Sequence, residues 1–245
     1  KKFLPTKKLP FYLYTGGLIG VATTMFNNLA FGKIGVSAIL ALILLGQMIV
    51  SLIIDHFGWF NMPKRAFPPK KLFGIAFVIA GIACMLSFFE TSMLMPILVS
   101  FFSGVTIVIA RTINARFAEE TNTYVSTFYN YVTGLSLSCL ILAFLSVGGY
   151  AQWSAPAFSL SDVWAYTGGL IGVVVVLISN IIVTRISSFY MTLLVFIGQI
   201  FTGILLDSIL SNSFSRNILI GGLFVTVGFI INIWMDKRNA TTIKE

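Results

Sequence analysis

The sequence predicts an all-α membrane protein, a polytopic helix bundle built from two inverted repeats in the manner of a transporter. Three observations lead to this prediction: an apolar composition, basic residues that alternate with apolar stretches, and an octapeptide that occurs twice. Of the 245 residues 57% are hydrophobic and only 10% are charged, which no ordinary soluble domain matches. The net charge of +8 indicates basic loops held against anionic lipid and does not favour nucleic-acid binding.

Eight apolar stretches are long enough to cross about 30 Å of hydrocarbon as helices. We place these spans, in order, at 11–31, 35–55, 72–89, 92–110, 124–147, 164–183, 187–207 and 217–235. The junction between the first two spans is only a few residues long, as expected for antiparallel neighbours.

The basic residues predict the orientation. If all eight stretches cross, Lys33 and Arg216 lie on one side and the other fourteen of the 16 basic residues lie on the opposite side. Basic loops collect on the cytoplasmic face. We therefore predict a multi-pass protein of the bacterial plasma (inner) membrane with both termini cytoplasmic.

The octapeptide YTGGLIGV at residues 14–21 recurs without change at 166–173. At the same offset of 152 residues, identical pairs continue without a gap: Asn28 and Asn180, Ile34 and Ile186, Leu42 and Leu194, Gly46-Gln47 and Gly198-Gln199, and Asp55 and Asp207. Apolar helices match by chance in Leu and Ile, whereas matching Asn, Gln and Asp in register indicates duplication. The offset then falls to 147, where Phe77-Val78 and Gly81 match Phe224-Val225 and Gly228.

In the predicted topology the two octapeptides start from opposite sides of the membrane, so the repeats are inverted, as in alternating-access transporters. Residues 1–90 form the first unit, with three spans, and residues 91–245 form the second, with five. The counterparts of the spans at 92–110 and 124–147 are expected upstream of Lys1, so the complete protein is expected to have ten spans.

Several motifs resemble the YdcZ-type branch of the drug/metabolite transporter (DMT) superfamily. They are Gly-Gly-Leu-Ile-Gly opening a helix with an Asn near its end, Gly46-Gln47, Asp55-His56-Phe57-Gly58, and Asn114-Ala115-Arg116. The resemblance implies a ten-helix transporter of small solutes, drugs or metabolites. The sequence departs from the family pattern in lacking the first two helices and in having Asp207-Ser208-Ile209 in the second copy.

Uncharged polar residues in the spans are the candidates for substrate binding. Gln47 and Gln199 lie roughly 17 Å along their helices, near the bilayer centre, and should face the interior of the bundle. They form either an interhelical hydrogen bond or a substrate contact presented by both repeats. Amide and aromatic side chains suit neutral organic solutes, and the further candidates are Asn28, Asn180, Asn114, Tyr14 and Tyr166.

Asp55 and Asp207 follow the two glutamines by about 12 Å of helix, which places them near opposite faces of the membrane. There they are either solvated, capping or gating groups, or carriers of protons. His56 stands beside Asp55, and histidine is the side chain that titrates closest to neutral pH. We treat Asp55, His56 and Asp207 as candidate gating or proton-linked residues.

The glycines of the octapeptides are predicted helix-packing residues. Gly16 with Gly20, and Gly168 with Gly172, have the spacing that lets two helix backbones approach closely in lipid. The adjacent residues Gly17 and Gly169 widen the helix face that carries no side chains.

No enzyme is predicted, because one histidine, no metal-ligand spacing, no GxSxG and no P-loop leave no catalytic constellation, metal or cofactor site. The predicted function is a secondary transporter of small organic solutes by alternating access. A non-transporting scaffold or helper subunit is the alternative. The predicted partners are the lipid bilayer and a small-molecule substrate, and assembly as a homo-oligomer is left open.

The predicted orientation can be tested in a variant in which Cys84 and Cys139 are replaced by serine. A single cysteine beside Lys33 is expected to react with a membrane-impermeant maleimide added to intact cells. A cysteine beside Lys64 is expected to react only after permeabilisation, because basic loops remain cytoplasmic. Labelling in the reverse order contradicts the predicted orientation.

Overall fold

A computed structural model describes residues 9–34, 36–64, 71–85, 94–150, 163–210, 219–224, 226–228 and 230–231. Every regular element in these ranges is helical. The α-helices are α1 (Gly16–Ala30), α2 (Val36–Phe57), α3 (Lys71–Met85), α4 (Leu94–Glu120), α5 (Thr123–Val147), α6 (Val163–Ile182) and α7 (Ser188–Leu210). Short 3₁₀ helices occur at Phe11–Tyr14 and Trp59–Asn61, and the described residues between 219 and 231 form a C-terminal helical segment.

Helical residues occur at each of the eight predicted spans, and the class of apolar helical membrane protein is confirmed. Among the described residues, three segments are long and apolar enough to cross a membrane by length and composition, namely Ile39–Phe57, Leu94–Glu120 and Thr123–Val147. The number of spans stays a prediction. The α4 helix differs from its predicted bounds in continuing past residue 110 to Glu120.

The end of α4 and the start of α5 form a tight helical hairpin. Arg116 donates to the carboxylates of Glu119 at 2.5 Å and Glu120 at 2.8 Å, so its charge is neutralised within one helical turn. Asn122 has an extended backbone, and its side chain accepts a hydrogen bond from the N–H of Val125 at 2.9 Å. This side chain is therefore an N-cap, which starts α5 directly after α4.

The chain forms two compact units. Unit 1 comprises Lys1–Thr24, Phe60–Met62 and Thr106–Ile186. Unit 2 comprises Met25–Trp59, Pro63–Val105 and Ser187–Glu245. Helices α1 and α4 each contribute residues to both units. This division does not test the predicted repeat boundary between residues 90 and 91, which stays a prediction.

The core of unit 2 is formed where α2 packs on α7 and α3. Its buried members are Ala41, Leu44, Met48, Ile75, Val78, Phe189, Leu193 and Phe196. One polar pair lies within this apolar interface, where the hydroxyls of Ser51 and Thr192 are hydrogen-bonded at 3.0 Å. Phe77 of α3 stacks on Phe224 of the C-terminal helical segment, with ring centroids 6.1 Å apart.

Within unit 2, α2 and α4 touch through two glycines. A Cβ on Gly46 would overlap the carbonyl oxygen of Phe101, and a Cβ on Gly104 would overlap the carbonyl oxygen of Ile43. Each glycine therefore lets the backbone of the facing helix approach where a side chain would otherwise stand. Such close contact replaces the hydrophobic driving force that helices lack in lipid.

This crossing can be tested with a matched pair of substitutions. Gly46→Leu is expected to lower the free energy of unfolding by roughly 1–3 kcal/mol or more, because the side chain must displace the backbone of α4. Gly198→Leu is the control at the repeat counterpart: Gly198 is exposed, and the described part of the chain leaves its Cβ position without a neighbour within 4 Å. Unfolding of the purified variants in detergent measures the difference. An equal loss of stability in both variants contradicts the role of Gly46.

Candidate functional site

Two asparagines pair at the base of the α4–α5 hairpin in unit 1. Asn114, only 5% exposed, donates from its Nδ2 to the Oδ1 of Asn130 at 2.7 Å. Both lie eight residues from Asn122, or about 12 Å along their helices, so the hairpin places the two amides at one level. A buried amide without such a partner would be costly in an apolar environment.

Gly16 and Gly17 bring the start of α1 onto this pair. A Cβ on Gly16 would overlap Asn114 Oδ1, and a Cβ on Gly17 would overlap the carbonyl oxygen of Asn130. On α5, a Cβ on Gly134 would lie 3.3 Å from the carbonyl oxygen of Gly17. The adjacent glycines thus contact two different helices, α4 and α5.

Asn180 near the end of α6 extends the network. It is 2% exposed, and its Nδ2 donates to Thr127 Oγ1 at 3.2 Å and to Ser126 Oγ at 3.4 Å. Ser126 in turn donates to the carbonyl oxygen of Asn114 at 2.5 Å, and Thr127 donates to the carbonyl oxygen of Thr123 at 2.9 Å. Three helices of unit 1 are therefore joined by one chain of hydrogen bonds.

An aromatic cluster lies beside this network, toward the tip of the hairpin. The ring of Tyr14 is 4.8 Å from that of Phe117 and 5.3 Å from that of Tyr129, while Phe117 and Tyr129 are 5.5 Å apart. Buried Leu13 and Val125 pack on the same cluster. The three rings therefore pack against one another at the tip side of the hydrogen-bond network.

Asp55 joins two helices of unit 2. Its carboxylate is 9% exposed and accepts hydrogen bonds from the N–H groups of Ser188 and Phe189, each at 3.2 Å. Ser187 Oγ accepts from the N–H of Tyr190 at 3.3 Å, so three of the otherwise unpaired N–H groups at the start of α7 have acceptors. A negative charge at this end also interacts favourably with the helix dipole.

The motif Asp55-His56-Phe57-Gly58 thus combines two structural tasks. Asp55 caps α7, and Gly58 ends α2 with a φ of 69°, a conformation that glycine adopts without strain. His56 is exposed and its ring lies edge-on to that of Phe57, with centroids 4.8 Å apart. Of the candidate gating residues, the side chain of Asp207 lies outside the described residues.

The remaining candidates are not gathered into one site. Gln47 is buried in unit 2 at 5% exposure, whereas Gln199 is exposed. Asn28 is exposed too, and its neighbour Asn27 makes the polar contact, accepting a hydrogen bond from Ser103 Oγ at 2.6 Å. The side chain of Tyr166 lies outside the described residues.

The glycines of the second octapeptide have different surroundings from those of the first. In the described part of the chain no atom lies within 4 Å of a Cβ built on Gly168 or Gly169, and the same holds for Gly20. A Cβ on Gly172 would lie 2.9 Å from the hydroxyl of Tyr131 on α5. Identical sequences therefore meet different neighbours.

Three hydroxyl partners of these amides are not predicted from the sequence: Ser126 and Thr127 on α5 in unit 1, and Ser103 on α4 in unit 2. Small hydroxyl residues are frequent in membrane helices, so their presence alone carries no signal. Within the described residues no group of three potential metal ligands comes together.

Apolar helices joined by buried amides and close glycine contacts are typical of membrane helix bundles. The chain belongs to the DMT_YdcZ family, described as "Putative inner membrane exporter, YdcZ", whose sequence profile matches residues 2–84 and 95–231. The match covers most of the chain and confirms the resemblance to the YdcZ-type branch. Its family is therefore one of transporters and not of enzymes. Neither the curated proteins nor the solved structures contain a significant match.

The cap on α7 generates a direct test. Asp55→Ala is expected to lower the free energy of unfolding by about 1–2 kcal/mol, because the N–H groups of Ser188 and Phe189 lose their acceptor. Hydrogen–deuterium exchange at these two amides should accelerate. His56→Ala, a change of the exposed neighbour, is the control and should leave the exchange at α7 unchanged. Unaltered exchange in Asp55→Ala would show that the cap does not hold this turn.

Proposed function

We propose that the protein is a secondary exporter of small organic solutes that works by alternating access between two inverted repeats. The observation that carries the proposal is membership of a family of inner membrane exporters, whose profile matches both the segment 2–84 and the segment 95–231. Nothing in the described residues supplies a nucleotide site, so the energy for export comes from a solute or ion gradient.

Contacts between repeat counterparts support the inverted arrangement. A two-fold axis brings a residue near its own counterpart, as in an isologous interface. Phe77 and Phe224, which match at the offset of 147 residues, stack on each other in unit 2. Helices α2 and α7, which carry the two Gly-Gln pairs, also pack together. Contacts between counterparts are expected where two repeats pack around a pseudo-two-fold axis, so both contacts support the proposal.

The buried amides supply the proposed solute contacts. Asn114 and Asn180 in unit 1, and Gln47 in unit 2, are buried polar side chains in strongly apolar helices. Polar residues in such positions are costly and are retained for packing or for transport. Asp55, which holds the start of α7, is the proposed gating residue, because releasing its two hydrogen bonds frees one helix end from the other helix.

Transport is tested with the purified chain in proteoliposomes loaded with a panel of neutral and cationic organic solutes. Efflux above that of protein-free liposomes is expected for at least one class of solute. Gln47→Leu is expected to reduce the rate about tenfold or more with normal folding, since one lost solute hydrogen bond is worth roughly that factor. Ile49→Ala, a change on the exposed side of α2 two residues from Gln47, is the matched control, and it should retain efflux.

The alternative is a scaffold or helper subunit. It is favoured if the protein shows neither efflux nor ligand-dependent thermal stabilisation across the panel. Alternating access has its own readout, in which single cysteines on the two faces change their accessibility in opposite directions when solute is added. Parallel changes on both faces contradict that mechanism and leave export in place.

A further inference from the structure

Asn180 has one polar atom that its neighbours do not satisfy. Its Oδ1 is buried and has no hydrogen-bond partner among the residues that the structure describes. An unpaired buried acceptor loses its hydration without gaining a hydrogen bond, so most native structures avoid one. The side chain is 2% exposed, which leaves bulk solvent unable to serve as the partner.

The orientation of this amide follows from the hydrogens around it. The hydroxyl hydrogen of Ser126 is donated to the carbonyl of Asn114, and that of Thr127 is donated to the carbonyl of Thr123. Both hydroxyl oxygens can therefore only accept from Asn180, which requires its Nδ2 to face them. Turning the amide over would set Oδ1 against two oxygens, so Oδ1 must point away from the pair.

The two helices of this interface, α5 and α6, carry no charge, whereas Arg111 and Arg116 lie on α4. Neither α5 (Thr123–Val147) nor α6 (Val163–Ile182) contains an acidic, basic or histidine residue. A charged ligand held between them would lose its hydration without gaining a counter-charge, which is prohibitive in an apolar medium. Gly172 lies about two helical turns before Asn180. The hydroxyl oxygen of Tyr131 is 2.9 Å from the position that a Cβ on Gly172 would occupy. Between these polar points residues 173–178 of α6 are aliphatic, and Ser179 follows them.

We propose that the α5–α6 interface of unit 1 holds a subsite for an uncharged solute that donates an N–H or O–H hydrogen to Asn180 Oδ1. This assignment rests on the proposed export function and defines its substrate class. The solute has an apolar body, which lies against the aliphatic residues of α6. A neutral hydrogen-bond donor is selected because Oδ1 accepts and cannot donate.

The test uses the full chain in nanodiscs and two radiolabelled probe pairs, indole with 1-methylindole and resorcinol with 1,3-dimethoxybenzene. Within each pair only the donor hydrogens differ. The wild-type protein is expected to bind the donor-bearing probe about tenfold more tightly than its methylated counterpart, the effect of one buried hydrogen bond. Asn180→Leu should abolish this preference, giving a ratio near one.

Two further variants serve as a second test of the acceptor and as a control. Asn180→Ala removes the acceptor without adding bulk, so it should also lose the preference if Asn180→Leu does not fold. Ser136→Ala removes an exposed hydroxyl of α5 that bonds to the carbonyl oxygen of Val132 on its own helix, so it should retain the preference. The subsite is overturned if the wild-type protein binds no donor-bearing probe, or if it binds both members of each pair equally, as when Oδ1 holds an ordered water only.

Failure of the subsite and failure of export are distinguishable. Efflux in proteoliposomes without any preference for donor-bearing probes rejects the subsite and leaves export standing. Preferential binding that depends on Asn180, without efflux of any solute, retains the subsite and rejects export.

Discussion

In hydrocarbon no solvent is available to satisfy a polar group, so each buried amide or hydroxyl must find its partner within the protein. Unit 1 is organised by this constraint. Hydrogen bonds run from Asn180 through Ser126 to the backbone of Asn114, whose side chain continues to Asn130. Gly16 has no side chain where Asn114 lies, so α1 can approach the same amide. The positions of four helices therefore depend on a handful of amides and hydroxyls.

Unit 2 meets the same constraint with a charged group. Asp55 accepts two backbone hydrogen bonds from α7, and the Ser51–Thr192 pair lies one turn earlier on α2. The carboxylate is buried, and the positive end of the α7 dipole compensates its charge. The motif Asp55-His56-Phe57-Gly58 at the end of α2 therefore connects α2 to α7 through Asp55.

The positions of the helices could be predicted from the sequence, because the length of an apolar stretch is a local property. Helix contacts could not, because they depend on neighbours far along the chain. Gln47 is buried and Gln199 exposed although both follow a glycine at matched positions. Asn28 is a predicted substrate-binding residue, yet its side chain is exposed. The neighbouring Asn27 accepts a hydrogen bond from Ser103 of α4, because the helical repeat decides which of the two amides faces that helix. The repeat predicted equivalent residues but not equivalent surroundings.

The two helix caps differ in the length of chain that they close. Asn122 caps α5 from three residues away, so that cap can form as soon as the hairpin has been synthesised. Asp55 reaches α7 across 133 residues, and this part of the cap forms only after α2 and α7 have met. Closing so long a loop costs entropy before any bond repays it. Until then Ser187 alone caps the start of α7, so the N–H groups of Ser188 and Phe189 gain their acceptor only late in assembly.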